Sequence, residues 1–237
     1  MTLKQRVQSP GALRIAILGA ESTGKTALAH ALAERIGTLT GLRTRCVGEW
    51  LREWCAQAGR TPHRDEQMAI ARHQHALIDA AAADCDVVVC DTTAIMTAVY
   101  SAMLFDDPSI EAFAITEQAR CHITLLTALD LPWVADGIQR DGPQVRVPVD
   151  TRVRALLQAH GLPWSLVAGT GEHRVSMALD AVSPMLRQRA QPGSGLFSRL
   201  AERDASQPAW QWVCDTCDSP DCEHASLMQA RGKARSL

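Results

Sequence analysis

A five-stranded parallel α/β sheet, covered by helices on both faces and followed by a short cysteine-rich tail, is predicted by three observations. Short apolar runs recur five times and alternate with stretches of helical periodicity, the pattern of a sheet buried on both sides. The first run ends in a glycine-rich loop that opens a helix. The 237 residues suffice for one substantial core and a small appendage.

The elements follow in order. "LRIAILG" (Leu13 to Gly19) is an unbroken apolar run closing on glycine, a buried strand. In "KTALAHALAERIG", Ala27, Leu28, Ala31, Leu32 and Ile36 recur at helical spacing and Gly37 supplies a stop. "TRCVGEW" reads as a second strand, leading into a helix through "LREWCAQAG" that Gly59 closes. The alanine-rich stretch from Arg64 to Ala83 favours one long helix, and the β-branched run "CDVVVCD" (Cys85 to Asp91) a third strand. Helices follow in "TAIMTAVYSAMLF" and "SIEAFAITEQA", a fourth strand in "HITLLTA" (His122 to Ala128), and a helix in "DTRVRALLQAHG". "WSLVAG" is the fifth strand, before a final helix through about Arg189. "QPGSG" then marks a linker, and the rest is too poor in aliphatic residues for a second core. The expected organisation is an arm over 1–12, a catalytic domain over 13–190 and a linker with a Cys/His tail over 191–237.

Lysine plus arginine number 24 against 26 acidic residues, a formal charge of −2, so no broad nucleic-acid footprint or membrane-surface patch is expected. No run is apolar enough for a signal peptide or a bilayer span. The expectation is a cytoplasmic protein whose partner is a small molecule, with no nucleic acid and no membrane. Five of the eight cysteines are scattered, as inert core thiols are, and three crowd near the end.

Gly19-x-x-x-x-Gly24-Lys25-Thr26 satisfies the P-loop pattern in its proper context, strand before and helix after. The glycines let successive N–H groups face a phosphate and the helix adds its positive end. Lys25 reaches the β and γ phosphates in such a loop, and Thr26 offers its hydroxyl to magnesium. Asp91, at the end of a buried strand, can hold magnesium or take a proton from an acceptor hydroxyl, and can also cap the next helix. Thr92 and Thr93 follow it, where many ATP-hydrolysing machines place a water-activating glutamate.

In "VGEWLREW", Glu49 can accept bonds from sugar hydroxyls, Arg52 can pair with phosphate and Trp50 can stack on a heterocycle; an ordinary amphipathic helix start is the plainer reading. "DLPWVADGIQRDGPQVR" (Asp130 to Arg146) suits a segment that closes over bound nucleotide, with Arg140 as the arginine brought to the phosphates. His73 and His75, two apart, point to different sides of a helix and are not paired metal ligands, and His63 is set aside with them.

Together these residues resemble the ribosylnicotinamide kinase domain of the bifunctional NadR-type proteins, P-loop kinases among the AAA-like ATPases. The likeness runs from about Ile15 to Arg174 and rests on "GAESTGKT", "GEWLRE", "QMAIARHQ", "CDVVVCDT", "LPWVADG" and "HGLPWSLVAGTGEHR". Glu21-Ser22 inside the loop and "WVADG" are its more specific parts. The resemblance implies transfer of the ATP γ-phosphoryl to the ribose 5′-hydroxyl of nicotinamide riboside, giving the mononucleotide. It implies that Gly19, Glu21, Ser22, Thr23, Gly24, Lys25, Thr26 and Ala27 hold ATP with magnesium, that Glu49, Trp50 and Arg52 face the nucleoside, and that Asp91 is base or magnesium partner. Arg174 falls near the adenine end. The sequence departs from the family at Gly48, where an aromatic residue is usual, and at Gln139, where the lid arginine is expected with Arg140 next to it. The adenylyltransferase half with its His-x-Gly-His signature has no counterpart in these residues, so the expected product stops at the mononucleotide.

In the tail, Cys214, Cys217, Cys222 and His224 are spaced C-x₂-C-x₄-C-x-H and can form a tetrahedral zinc site; a disordered acidic tail is the alternative. Two other functions stay open: a kinase for another nucleoside or small alcohol, and a P-loop ATP-binding regulatory protein. "TALD" lacks the lysine of a guanine-reading motif and no Asp-x-x-Gly switch is present, which argues against a GTPase.

Overall fold

Strands that must be buried on both faces carry no polar alternation, and the sequence obeys this at the centre of the sheet. The computed structural model describes residues 11–134 and 142–189. Its strands are β1 (Leu13–Leu18), β2 (Thr44–Val47), β3 (Val87–Asp91), β4 (Ile123–Thr127) and β5 (Trp164–Val167). They form one parallel sheet in the order β2-β3-β1-β4-β5. All five residues of β3 and of β4 are buried, whereas the edge strands β2 and β5 are partly exposed.

The helices are α1 (Lys25–Thr40), α2 (Trp50–Ala58), α3 (Gln67–Asp84), α4 (Ala94–Phe105), α5 (Glu111–Gln118), α6 (Arg146–Ala159) and α7 (Gly171–Arg189). Ala71 of α3, the first half of α4, Ala114 of α5 and Val149 and Val153 of α6 join one apolar cluster with Leu18, Ala20 and Leu126. Helices α1 and α7 pack together on the other face. This is the predicted α/β architecture, a P-loop kinase-like fold.

Three boundaries differ from the expectation, each for a local reason. Strand β2 stops at Val47, and Trp50 already opens α2 behind Glu49, whose backbone is extended. The turn Arg64–Glu66 is 3₁₀ rather than α, fixed by the Glu66 carboxylate accepting from the His63 N–H at 2.7 Å and by Arg60 at 2.8 Å. Helix α6 begins at Arg146 rather than near Asp150, because Pro148 falls in its first turn, where no N–H is needed.

The expected 1–12 arm and 191–237 tail, with Cys214, Cys217, Cys222 and His224, lie outside the described residues apart from Gly11 and Ala12. No described helix is long and apolar enough to cross a membrane. Cys46, Cys55, Cys85, Cys90 and Cys121 are free thiols. Burial pushes Cys46 to about 11, Cys121 to about 12 and Cys90 well above the ordinary range, which makes them poor nucleophiles.

Candidate active site

The loop between β1 and α1 is shaped by contacts that only glycine permits at its first position. Gly19 has φ +150, and a Cβ there would lie 2.0 Å from the Thr127 hydroxyl. That hydroxyl sits 3.1 Å from the Leu18 carbonyl and 2.7 Å from the hydroxyl of Thr23, which donates to the Ala20 carbonyl at 2.8 Å. Gly24 is left-handed at the N-cap of α1, and the first bond of that helix runs from Leu28 N–H to Gly24. The amides of Lys25, Thr26 and Ala27 thus precede the helical ladder, the arrangement that cradles phosphate. Lys25 Nζ donates to the Ala20 carbonyl at 2.9 Å, folded back along the loop. Ser22, at φ +53, donates its hydroxyl to the Val134 carbonyl at 2.7 Å. Glu21 is buried, 3.5 Å from the Tyr100 hydroxyl.

Arg174 braces this loop from behind. Its guanidinium donates to the Thr23 carbonyl (2.8 Å), to the Gly169 carbonyl (2.7 Å) and to the Asp130 carboxylate (2.9 Å). Asp130 resists a burial that would raise its pKa and is held below the ordinary carboxylate range by Arg174 and the Gly169 N–H. The Arg174 donors that have partners are thus spent on the protein, beneath the loop.

The end of β3 meets the start of α1. Thr26 Oγ1 donates to Asp91 Oδ2 at 2.6 Å, and Asp91 Oδ1 is buried with no hydrogen-bond partner. Asp91 does not cap the next helix; Thr93 does, accepting from the Ile95 N–H at 3.4 Å. Between them Thr92 holds φ +72, a strained value for a β-branched residue, while buried. His75 supports the same corner: its Nε2 accepts from the Ala94 N–H at 3.3 Å and its Nδ1 lies 3.2 Å from Glu117. A ring nitrogen that accepts is unprotonated, so His75 is neutral here, and burial holds its pKa down.

Across the mouth, Gln74 fixes the β2–α2 corner, its carbonyl accepting from the Trp50 N–H at 2.7 Å and its amide donating to the Gly48 carbonyl at 3.1 Å. Glu49 lies 3.7 Å from Arg52. The Trp50 ring packs on His73, centroids 4.1 Å apart at 31°. His73 and His75 do face different environments, one exposed and one buried. Arg140 lies outside the described residues. Sequence reasoning missed Thr127 and Gln74, of which only Gln74 lies in the "QMAIARHQ" stretch, and it set His75 aside.

Residues 14–174, well over half of the chain, match the AAA domain family. The chain belongs to this AAA domain family. No curated protein matches it. Among solved structures, this AAA-domain chain is similar to NadR protein in complex with NAD and AMP-PNP, at 19% identity over 76% of this chain and 51% of that one, TM-score 0.58. It is similar also to NadR protein in complex with NR, at 20% identity over 77% and 54%, TM-score 0.59. Thymidylate kinase from Ehrlichia chaffeensis matches at 17% identity over 74% and 100%, TM-score 0.50. The chain spans about half the length of the NadR structures it matches. At such identities the likeness is one of fold.

Proposed function

We propose that the protein is an ATP- and magnesium-dependent kinase that transfers the γ-phosphoryl group to a hydroxyl of a small nucleoside, nicotinamide riboside first among them. The observation that carries this is the Thr26–Asp91 contact: a P-loop hydroxyl on one carboxylate oxygen, with the other oxygen buried and unpartnered. A hydroxyl beside a carboxylate suits a hard divalent cation, with nucleotide oxygens completing its shell. Magnesium, when bound, would neutralise charge on the β and γ phosphates. Thr26 and Asp91 would be the protein's share of that site.

The loop amides and Lys25 hold the phosphates, and catalysis is mainly positioning and charge stabilisation. An acceptor oxygen forms its bond to the γ-phosphorus as the bond to the β–γ bridging oxygen breaks, and ADP leaves. The acceptor's proton passes to Asp91 or to Glu49 across the mouth. No carboxylate follows Asp91 to activate water, which favours an alcohol as acceptor. Glu49, Trp50 and Arg52 form the nucleoside side, Arg140 is the lid arginine, and Cys214, Cys217, Cys222 and His224 remain a zinc proposal for the tail. The domain boundaries at 13 and 190 are retained, with cytoplasmic location.

One observation favours a different nucleoside. Trp50 is already stacked on His73 and Gly48 carries no ring, which leaves less aromatic surface for a nicotinamide. ATP consumption measured across a nucleoside panel, with and without nicotinamide riboside, decides: acceptor-dependent ADP release is expected. Hydrolysis indifferent to every acceptor, or no turnover, overturns the kinase reading.

A further inference from the structure

Helix α6 opens with its polarity reversed. Arg146 is buried at 8% exposure, while its neighbour Val147 is 63% exposed. A buried guanidinium without a counter-charge destabilises a fold, yet Arg146 Nε and Nη2 have no hydrogen-bond partner, and no carboxylate pairs with the residue among the described residues. The acid one turn on, Asp150, is taken by Arg154 at 2.6 Å.

Topology puts this arginine at the edge of the sheet that carries the P-loop. Helix α6 leads into a parallel strand, β5, so its first turn stands at the C-terminal edge of the sheet, the edge that carries the P-loop and Asp91. Val149, one turn along the same face, is fully buried in the cluster that contains Ala20 of the P-loop and Ala94 beyond Asp91. Guanidinium is a planar fork of donors that matches phosphate oxygens.

We propose that Arg146 contacts the oxygens of the γ-phosphoryl group, which supply the counter-charge that no described residue gives it. The proposal rests on the kinase reading but not on the acceptor's identity. Its test compares Arg146→Gln and Arg146→Met with the unaltered chain by calorimetric titration with AMP-PNP and ADP, alongside melting without ligand. Both variants should bind AMP-PNP about tenfold more weakly or worse, keep ADP affinity, and melt no lower than the parent, since an unpaired buried charge has been removed. Equal weakening toward both nucleotides, no weakening, or a lower unliganded melting temperature in both variants overturns the assignment. A parent chain that binds neither nucleotide overturns it together with the kinase reading, which separates the two failures.

Discussion

The hydroxyl of Thr26 and the carboxylate of Asp91 meet at 2.6 Å, although 65 positions separate them in sequence. The phosphate cradle and the end of the neighbouring strand are thereby one unit. Replacing Asp91 with Asn keeps the size and most of the packing but removes the charge. Turnover should fall about 100-fold or more while AMP-PNP still binds, read by single-turnover kinetics beside a binding titration. An unchanged rate would remove Asp91 from the chemistry.

Gly19→Ala places a methyl group 2.0 Å from the Thr127 hydroxyl, which is itself bonded in two directions. Neither side can yield without opening the loop. A stability loss of about 3 kcal/mol is expected from overpacking and backbone strain together. Urea unfolding checks the size, and Thr127→Ser should recover none of it, because the clashing oxygen remains.

Those two predictions differ in how far the sequence alone supports them. The P-loop was legible because its eight residues are contiguous and their chemistry is local, and Asp91 because a carboxylate ending a buried run marks a strand's active edge. The partners that set their geometry were not legible. Thr127 reaches Thr23 across 104 positions and Arg174 reaches the same residue across 151, distances over which periodicity carries no information. Gln74 reads as one more helix residue until the fold sets it beside Gly48. The start of α6 at Arg146 lies four residues before the expected Asp150, since Pro148 is compatible with a first turn.

His75 gives the fold an acid sensitivity with a defined sign. Burial lowers its pKa, with the pull of Glu117 and Asp79 against the push of Arg120 and Arg14 as smaller effects. The unfolded chain therefore binds this proton more readily than the native one below the ordinary histidine value of about 6.5. Its contribution to stability is present above that pH and is lost as the pH falls toward the lowered native value. Melting temperatures of the parent between about pH 7.5 and 5 should decline more steeply than those of His75→Gln. Parallel profiles would show that another group governs the range.

Arg174→Met should unfold the back of the loop without touching the bound phosphates. It leaves the carbonyls of buried Thr23 and of Gly169 without their donor, a loss of about 2 kcal/mol in a denaturant titration. Adding Asp130→Asn should cost little further, since that carboxylate is 34% exposed and its guanidinium partner is already gone. Additive losses in the double variant would mean that the two side chains stabilise the fold independently.

The amide of Gln74 grips both ends of a two-residue corner, Gly48 behind and Trp50 ahead. The P-loop and the corner with Glu49 therefore hang from different supports, the first from the central strand β1, the second from helix α3. If the corner faces the acceptor as proposed, a small slide of that helix would change which alcohol fits and leave the P-loop as it was. On the kinase reading, a single glutamine that touches neither nucleotide nor acceptor would set the substrate range.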